Sequence, residues 1–247
     1  EIQDVTVSIS GEHVDALQSQ GAVAVEGRDA TVTSVDRQRA VDAARTVAIP
    51  FEREILHVLP RDFQVDEQRR IHNPTGMTGV RLGARVHIVT GGVTAVRNLV
   101  ACVERSGFRV ADLVFSPLAS AKACLTEDEL DMGVGLIDIG GGTTDVVCFE
   151  DGAIMRSCVV PLGGQQVTGD LAVCLRTTWS HAETLKRQYA ASVEDVLQVA
   201  SIAGRTPERV SNADVGEITS ARLEEIFEHV TARLELTDST RPRAGFV

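Results

Sequence analysis

The stretch 136-LIDIGGGTTDVVCFEDGAIMRSCVVPLGG-164 decides how this chain folds. Three glycines interrupt an apolar run, and a carboxylate stands on each side, at Asp138 and Asp145. The apolar, partly β-branched flanks predict two strands, with the glycines as the turn between them. In such a turn backbone N–H groups can converge, and without Cβ atoms an anion can come close. Because the turn joins strand to strand, it is not the dinucleotide fingerprint, which needs a helix after G-x-G-x-x-G. No GK[ST] follows, so it is not a P-loop either. The pattern Asp-x-Gly-Gly-Gly-Thr-x-Asp is a different phosphate grip. Asp138, Gly140, Gly141, Gly142 and Thr143 are the expected phosphate-binding residues, Thr143 adding a hydroxyl. Two carboxylates beside a phosphate call for a cation, and Mg²⁺ held mostly through waters at Asp138 and Asp145 meets that need. A plain hairpin is the competing reading, but a tight turn does not need three glycines.

Outward from this stretch, strands and helices alternate. Asp151-Gly152 predicts a second turn, and Gly163-Gly164 precede a helix over 167–175. Ser180 opens a helix over 181–190, residues 191–216 read as irregular, and a last helix covers 217–236. On that helix Leu223, Ile226, Phe227, Val230 and Leu234 form one face expected to be buried. Upstream, strands are predicted at 5–9, up to 25, at 54–59, 63–66, 85–90 and 110–115. Thr33 or Ser34 caps a helix over 35–47 that Pro50 ends. A Gly/Pro-rich turn fills 73–82, and a helix over 93–106 stops at Gly107. A short helix covers 118–125, and 126–131 reads as a charged link. The alternation predicts an α/β fold.

The chain has 247 residues, enough for one large domain or two ordinary ones, and 43% are hydrophobic. With 24 basic and 35 acidic residues the formal charge is −11, and no Lys/Arg cluster marks a nucleic-acid surface. Five cysteines, Cys102, Cys124, Cys148, Cys158 and Cys174, show no C-x-x-C pairing and are expected as reduced, buried thiols. No run of eighteen apolar residues is present. The six histidines offer no ligand pair. The chain opens on Glu1 and stops at 244-AGFV-247, where an apolar strand begins, so both ends read as cut.

Several segments carry a family resemblance: 43-AARTVAIP-50, 55-ILHVLPRDFQVD-66, 73-NPTGMTGVRLGARVHIVTG-91, 117-PLAS-120, 125-LTEDE-129, 133-GVGLIDIGGGTTD-145 and 158-CVVPLGGQQVTGDLA-172. They resemble the actin, heat-shock-chaperone and sugar-kinase superfamily, and within it the bacterial cell-division family FtsA. The resemblance runs from Glu1 to about Lys186. It implies an α/β, actin-like (ribonuclease H-like) two-lobed fold with an extra small α/β subdomain. Lobe 1 would take 1–12 and 83–131, the family-specific subdomain 13–82, lobe 2 132–180 and 240–247, and its outer subdomain 181–239.

The resemblance also implies ATP with Mg²⁺ as ligands. Gly163 and Gly164 would line the nucleotide cleft, ordinary strand-to-helix packing being the alternative. Glu183 and Lys186 would hold ribose and adenine, although Ser180-x-x-Glu183 also spells a capping box. Ser116 stands where many family members carry an acid that orients the attacking water, so hydrolysis is expected to be slow or absent. Expected partners are the C-terminal tail of FtsZ on 181–239, other division proteins and further copies in a filament. Arg222 is the preferred cationic anchor for that tail, with a simple balance against Glu224 and Glu225 as the alternative. The membrane would be reached through a C-terminal helix beyond this chain, on the cytoplasmic face. The competing readings are a sugar or small-acid kinase of the superfamily and an actin-like scaffold of pilus assembly. The segment 22–82 shows no acceptor-binding cluster such as a kinase needs.

Overall fold

A computed structural model describes residues 3–27, 29–191, 196–199, 208–234 and 242–247. Contacts divide the chain into two units. The first comprises Glu1–Asp138, Asp145–Val159 and Thr237–Val247; the second comprises Ile139–Thr144 and Val160–Leu236.

The first unit opens with β1 (Asp4–Ile9) and β2 (Val14–Ala24). Thr33 caps α1 (Ser34–Arg45) in a reciprocal box with Asp36, whose carboxylate accepts the Thr33 N–H at 3.0 Å. The small inner face of α1, Ala40, Val41 and Ala44, settles onto β2 at Gly21. A Cβ at Gly21 would stand 2.1 Å from the Ala44 nitrogen. β3 (Arg53–Val65) is one strand where two were expected. Its ladder absorbs Pro60 by a register shift before Asp62. β4 (Gln68–Ile71) and β5 (Arg81–Gly92) complete an antiparallel sheet ordered β2-β5-β3-β4. The expected turn over 73–82 therefore ends two residues early. Alternate β5 residues Leu82, Ala84, Val86 and Ile88 face α1 and close a core with Val32, Phe63 and Val65.

α2 (Val93–Arg105) ends before Gly107, whose φ of 89° suits a glycine stop. β6 (Arg109–Phe115) pairs in parallel with β1. α3 (Ser116–Cys124) carries Pro117 in its first turn. The predicted charged link is α4 (Glu127–Met132), set by a Thr126–Glu129 capping box that the sequence spells as T-x-x-E. β7 (Gly135–Ile139), β8 (Thr144–Glu150) and β9 (Ala153–Val160) form a sheet in that order. The turn between β8 and β9 places Asp151 and Gly152 at φ 52° and 70°, as a two-residue hairpin requires. The last residues run parallel to β7: the Gly135 N–H donates to Gly245 O at 2.9 Å and the Val247 N–H to Gly135 O at 2.8 Å.

In the second unit α5 (Gly164–Cys174), α6 (Trp179–Ala191) and α7 (Asn212–Leu234) pack around Val167, Leu171, Ala182, Leu185 and Val215. β10 (Val196–Val199) and β11 (Glu208–Ser211) pair antiparallel inside the span 191–216 expected to be irregular, of which residues 192–195 and 200–207 lie outside the described residues. α7 starts five residues earlier than expected because the Ser211 hydroxyl accepts the Asp214 N–H at 3.0 Å. Its buried row is Val215, Ile226, Val230 and Leu234. Phe227, expected inside, is 44% exposed, since it sits 100° around the helix from Ile226. The thiols also depart from expectation. Cys148 is buried and Cys158 half-buried, but Cys102, Cys124 and Cys174 lie on solvent-facing sides of helices. Among the described residues no helix is long and apolar enough to cross a membrane.

Candidate functional site

The two carboxylates flank the glycine turn as the next-to-last residue of β7 and the second residue of β8. Within the first unit each is held by a serine. The Ser120 hydroxyl of α3 donates to Asp138 Oδ2 at 2.9 Å, and the Ser10 hydroxyl, one residue past β1, donates to Asp145 Oδ1. Burial pushes the Asp145 pKa up; the Ser10 bond opposes this, and the negative charge of Asp138 adds to the rise. A pair of repelling oxygen donors suits a hard cation, and Mg²⁺ needs only one or two carboxylates while keeping its waters. Among the described residues no group of three or more His, Cys, Asp or Glu forms a metal cage. The donor set thus fits a mostly hydrated Mg²⁺ and no all-protein site.

The turn itself belongs to the second unit. The Gly140 N–H donates to Thr143 O at 2.9 Å and closes it. The turn then docks on the start of α5: the Gly164 N–H donates to Gly140 O at 2.9 Å and the Gln165 N–H to Gly141 O at 2.8 Å. These bonds use helix-terminal amides that have no partner inside the helix. They also fix where the turn's own amides point. In a trans peptide C=O and N–H are opposed, so holding the carbonyls of Gly140 and Gly141 against α5 turns the N–H groups of Gly141 and Gly142 away from it. Two neighbouring donors facing outward make a concavity for an anion.

The glycines have different reasons to be there. A Cβ on Gly163 would stand 2.6 Å from Gly140 O and 2.8 Å from Gly141 O, so close packing demands that glycine. A Cβ on Gly140 would stand 3.1 Å from Thr143 O. Gly141 and Gly142 are under no such constraint. A Cβ there would meet only the Gln165 side chain, at 3.7 Å and 3.9 Å, and neither residue has positive φ.

Gly164, Glu183 and Lys186 come together between α5 and α6. Lys186 Nζ donates to Gly164 O and to Thr168 Oγ1, both at 2.9 Å, and lies 2.7 Å from Glu183 Oε2. Glu183 also accepts from the Thr168 hydroxyl at 2.6 Å and from Arg187 Nε at 3.0 Å. Lys186 above all, then Thr168, pulls the Glu183 pKa down to about 2. Glu183 closes no capping box with Ser180. α6 begins at Trp179, and the Thr178 hydroxyl accepts the His181 N–H at 3.3 Å. Arg222 lies apart on α7, its guanidinium forked onto Asp170 of α5 at 2.6 and 3.0 Å and bonded to Glu225. Ser116 is the first residue of α3. Ser10, Ser120 and Gln165 were not anticipated. Ser120 stands inside 117-PLAS-120, but nothing in the sequence pairs it with a residue eighteen positions on.

Comparison with known proteins shows the family to which the chain belongs. Residues 11–90 match the family described as "SHS2 domain inserted in FTSA", and residues 135–242 match "Cell division protein FtsA". The chain is 43% identical over 239 residues to the cell division protein FtsA of Pseudomonas aeruginosa, covering 94% of this chain and 57% of that protein. It is 34% identical over 252 residues to that of Bacillus subtilis, covering 100% and 57%. With that of Escherichia coli K12 it shares 34% over 248 residues, covering 98% and 59%. The chain thus spans little more than half the length of these relatives. Among solved structures it resembles the "PilM-PilN type IV pilus biogenesis complex" with a TM-score of 0.61 at 16% identity, covering 94% of this chain and 58% of that one. That likeness speaks for the fold alone, the actin-like α/β fold. Both halves match the same family and the relatives agree with them, so this chain belongs to the FtsA family of bacterial cell-division proteins.

Proposed function

We propose that this chain is the nucleotide-binding part of an ATP-dependent, actin-like scaffold of bacterial cell division. In this reading the protein polymerises and links the FtsZ ring to the inner face of the cytoplasmic membrane, through a helix outside this chain. Phosphates lie against Gly140, Gly141, Gly142 and Thr143. Asp138 and Asp145 would hold Mg²⁺, mostly through its own waters, and the ion would supply positive charge against the carboxylates and a nucleotide's phosphates. Gly163 and Gly164 border the phosphates, while Glu183 and Lys186 meet the ribose and base. The carrying observation is the pair of outward amides at Gly141 and Gly142, two positions where packing leaves room for a Cβ but the residue is glycine. Ser116 lacks the carboxylate that would orient water, so turnover below about 1 s⁻¹ is expected.

The FtsZ tail docks on residues 181–239, with Arg222 as its cationic contact. Since Arg222 is already bonded to Asp170 and Glu225, a tail carboxylate must exchange with one of them.

Gly141→Val tests the nucleotide reading in the full-length protein. The fold tolerates a side chain there, so the variant should melt like the parent while losing ATP in a binding titration. Unchanged ATP affinity would remove the turn from the site.

A further inference from the structure

Lys186 touches the turn only through other groups, and the path is specific. Its ammonium holds Gly164 O at 2.9 Å. That carbonyl and the Gln165 N–H belong to one peptide unit, and the Gln165 N–H holds Gly141 O at 2.8 Å. The Gly141 carbonyl in turn shares its peptide unit with the Gly142 N–H, one of the two outward donors. An ammonium, two peptide units and two hydrogen bonds therefore stand in series, every dipole oriented the same way.

A cation on a carbonyl oxygen draws electron density toward it and leaves the N–H of the same peptide more positive. That N–H then binds the next carbonyl more strongly, and the effect passes along the chain. Glu183 is the counterweight: its carboxylate lies 2.7 Å from the ammonium and neutralises part of its field.

We infer that Lys186 is a positioning residue for the phosphate turn: through the Gly164–Gln165 and Gly141–Gly142 peptides it orients the Gly142 N–H and makes it a stronger donor, without touching the anion. The part about the anion rests on the ATP reading of the turn; the relay itself does not. Glu183 then acts as a damper. A ligand hydroxyl that engages Glu183 releases more of the lysine's charge to the relay, coupling occupancy at α6 to phosphate affinity at the turn.

The test uses Lys186→Met, Lys186→Arg and Glu183→Gln, and first needs no ligand. Amide hydrogen exchange is measured at Gln165, which donates within the relay. Lys186→Met should speed it about tenfold, the scale of one lost charge-assisted bond. Lys186→Arg should restore it, and Glu183→Gln should leave it at or below the parent rate. If Lys186 mattered only as half of an ion pair, Lys186→Met and Glu183→Gln would speed exchange equally; that result, or no change in either, overturns the relay. The second arm titrates inorganic tripolyphosphate, which has neither ribose nor base, onto the full-length protein. Lys186→Met should weaken it about tenfold and Glu183→Gln should not. Equal tripolyphosphate affinity in parent and Lys186→Met confines the lysine to ribose and base and overturns the inference. A parent that ignores tripolyphosphate instead removes the phosphate reading of the turn, and the exchange arm still decides the relay. Thermal unfolding of each variant separates loss of the relay from loss of the fold.

Discussion

Ser10 donates its hydroxyl to the carboxylate of Asp145, a residue 135 positions further along the chain. Asp145 is 7% exposed, so this donor offsets much of what water would have supplied. Ser10→Ala should cost about 1–3 kcal/mol, the penalty for a buried acceptor left short of a donor. Its pH dependence follows from the raised pKa. A native carboxyl that holds its proton more tightly than the unfolded one loses stability as pH rises through the window above the ordinary carboxylate value. Ser10→Ala raises that pKa further, so its cost is largest at neutral pH and fades in acid, where Asp145 is protonated. Urea titrations at neutral and acidic pH check this; a cost independent of pH would contradict it.

Gly163 and Gly142 should separate packing from binding. At Gly163 an added methyl meets backbone oxygens at 2.6 and 2.8 Å, and neither can rotate aside. Gly163→Ala should therefore cost about 1–3 kcal/mol by overpacking and loosen the turn from α5. At Gly142 the nearest atom is Gln165 Oε1 at 3.9 Å, so Gly142→Ala should stay within about 0.5 kcal/mol. ATP affinity of the full-length Gly142→Ala protein should nevertheless fall at least about tenfold, or 1.4 kcal/mol. Thermal unfolding alongside a nucleotide titration reads both effects, and a destabilised Gly142→Ala protein would undo the distinction.

His87 makes the first unit sensitive to acid. It is 2% exposed, with Gln18 Nε2 3.0 Å from Nδ1 and Ser157 Oγ 2.8 Å from Nε2. Burial, with Arg61 nearby, pushes its pKa from 6.5 down to about 4. The unfolded chain therefore takes up the proton first. The stability His87 contributes is complete above pH 6.5 and is lost as pH falls toward 4, a difference of roughly 3 kcal/mol. His57 shifts the same way, mainly through burial, and its Nε2 accepts the Phe115 N–H at 2.9 Å only while unprotonated. A His87→Gln variant should lose less stability than the parent between neutral pH and pH 4. Parallel unfolding curves for the two proteins across that range would rule this out.

The features legible in the sequence were those set by neighbours along the chain. Glycine turns, the strand over 85–90, the stop at Gly107 and a cap at Thr33 or Ser34 depend on residues a few positions apart, and the structure has each of them, with Thr33 as the cap and the strand lengthened to Arg81–Gly92. The strand on each side of the glycine turn was legible for the same reason. What escaped was set by distant partners. Separate strands were expected at 54–59 and 63–66, yet β3 runs through Pro60 because β5 pairs with both of its sides. The Thr126–Glu129 box was missed although local, because four acidic residues within 127–131 read as a solvated link. Phe227 has the composition of a core residue but not the angle, as the buried row on α7 runs through Ile226 and Val230. Ser10 and Ser120 carry no local signal, since a lone serine after a strand or within a helix has many uses. The grip they form on Asp145 and Asp138 exists only once the first unit is folded.

Arg222 carries the last prediction, because its two roles respond to substitution in different ways. As a clamp it joins α7 to α5 through a two-point fork onto Asp170, a geometry lysine cannot reproduce. With side chains 22% and 31% exposed, that pair is partly screened and its loss should cost about 1 kcal/mol. As a tail anchor, the same guanidinium must give up Asp170 or Glu225 before it can meet a carboxylate from outside. Removing its internal partner should then favour the external one. Asp170→Asn should tighten a labelled FtsZ tail peptide on the full-length protein, and Arg222→Met should weaken it, while both lower the melting temperature. If both variants melt earlier but bind the peptide as the parent does, Arg222 is a clamp alone. The tail would then have to be sought elsewhere on residues 181–239.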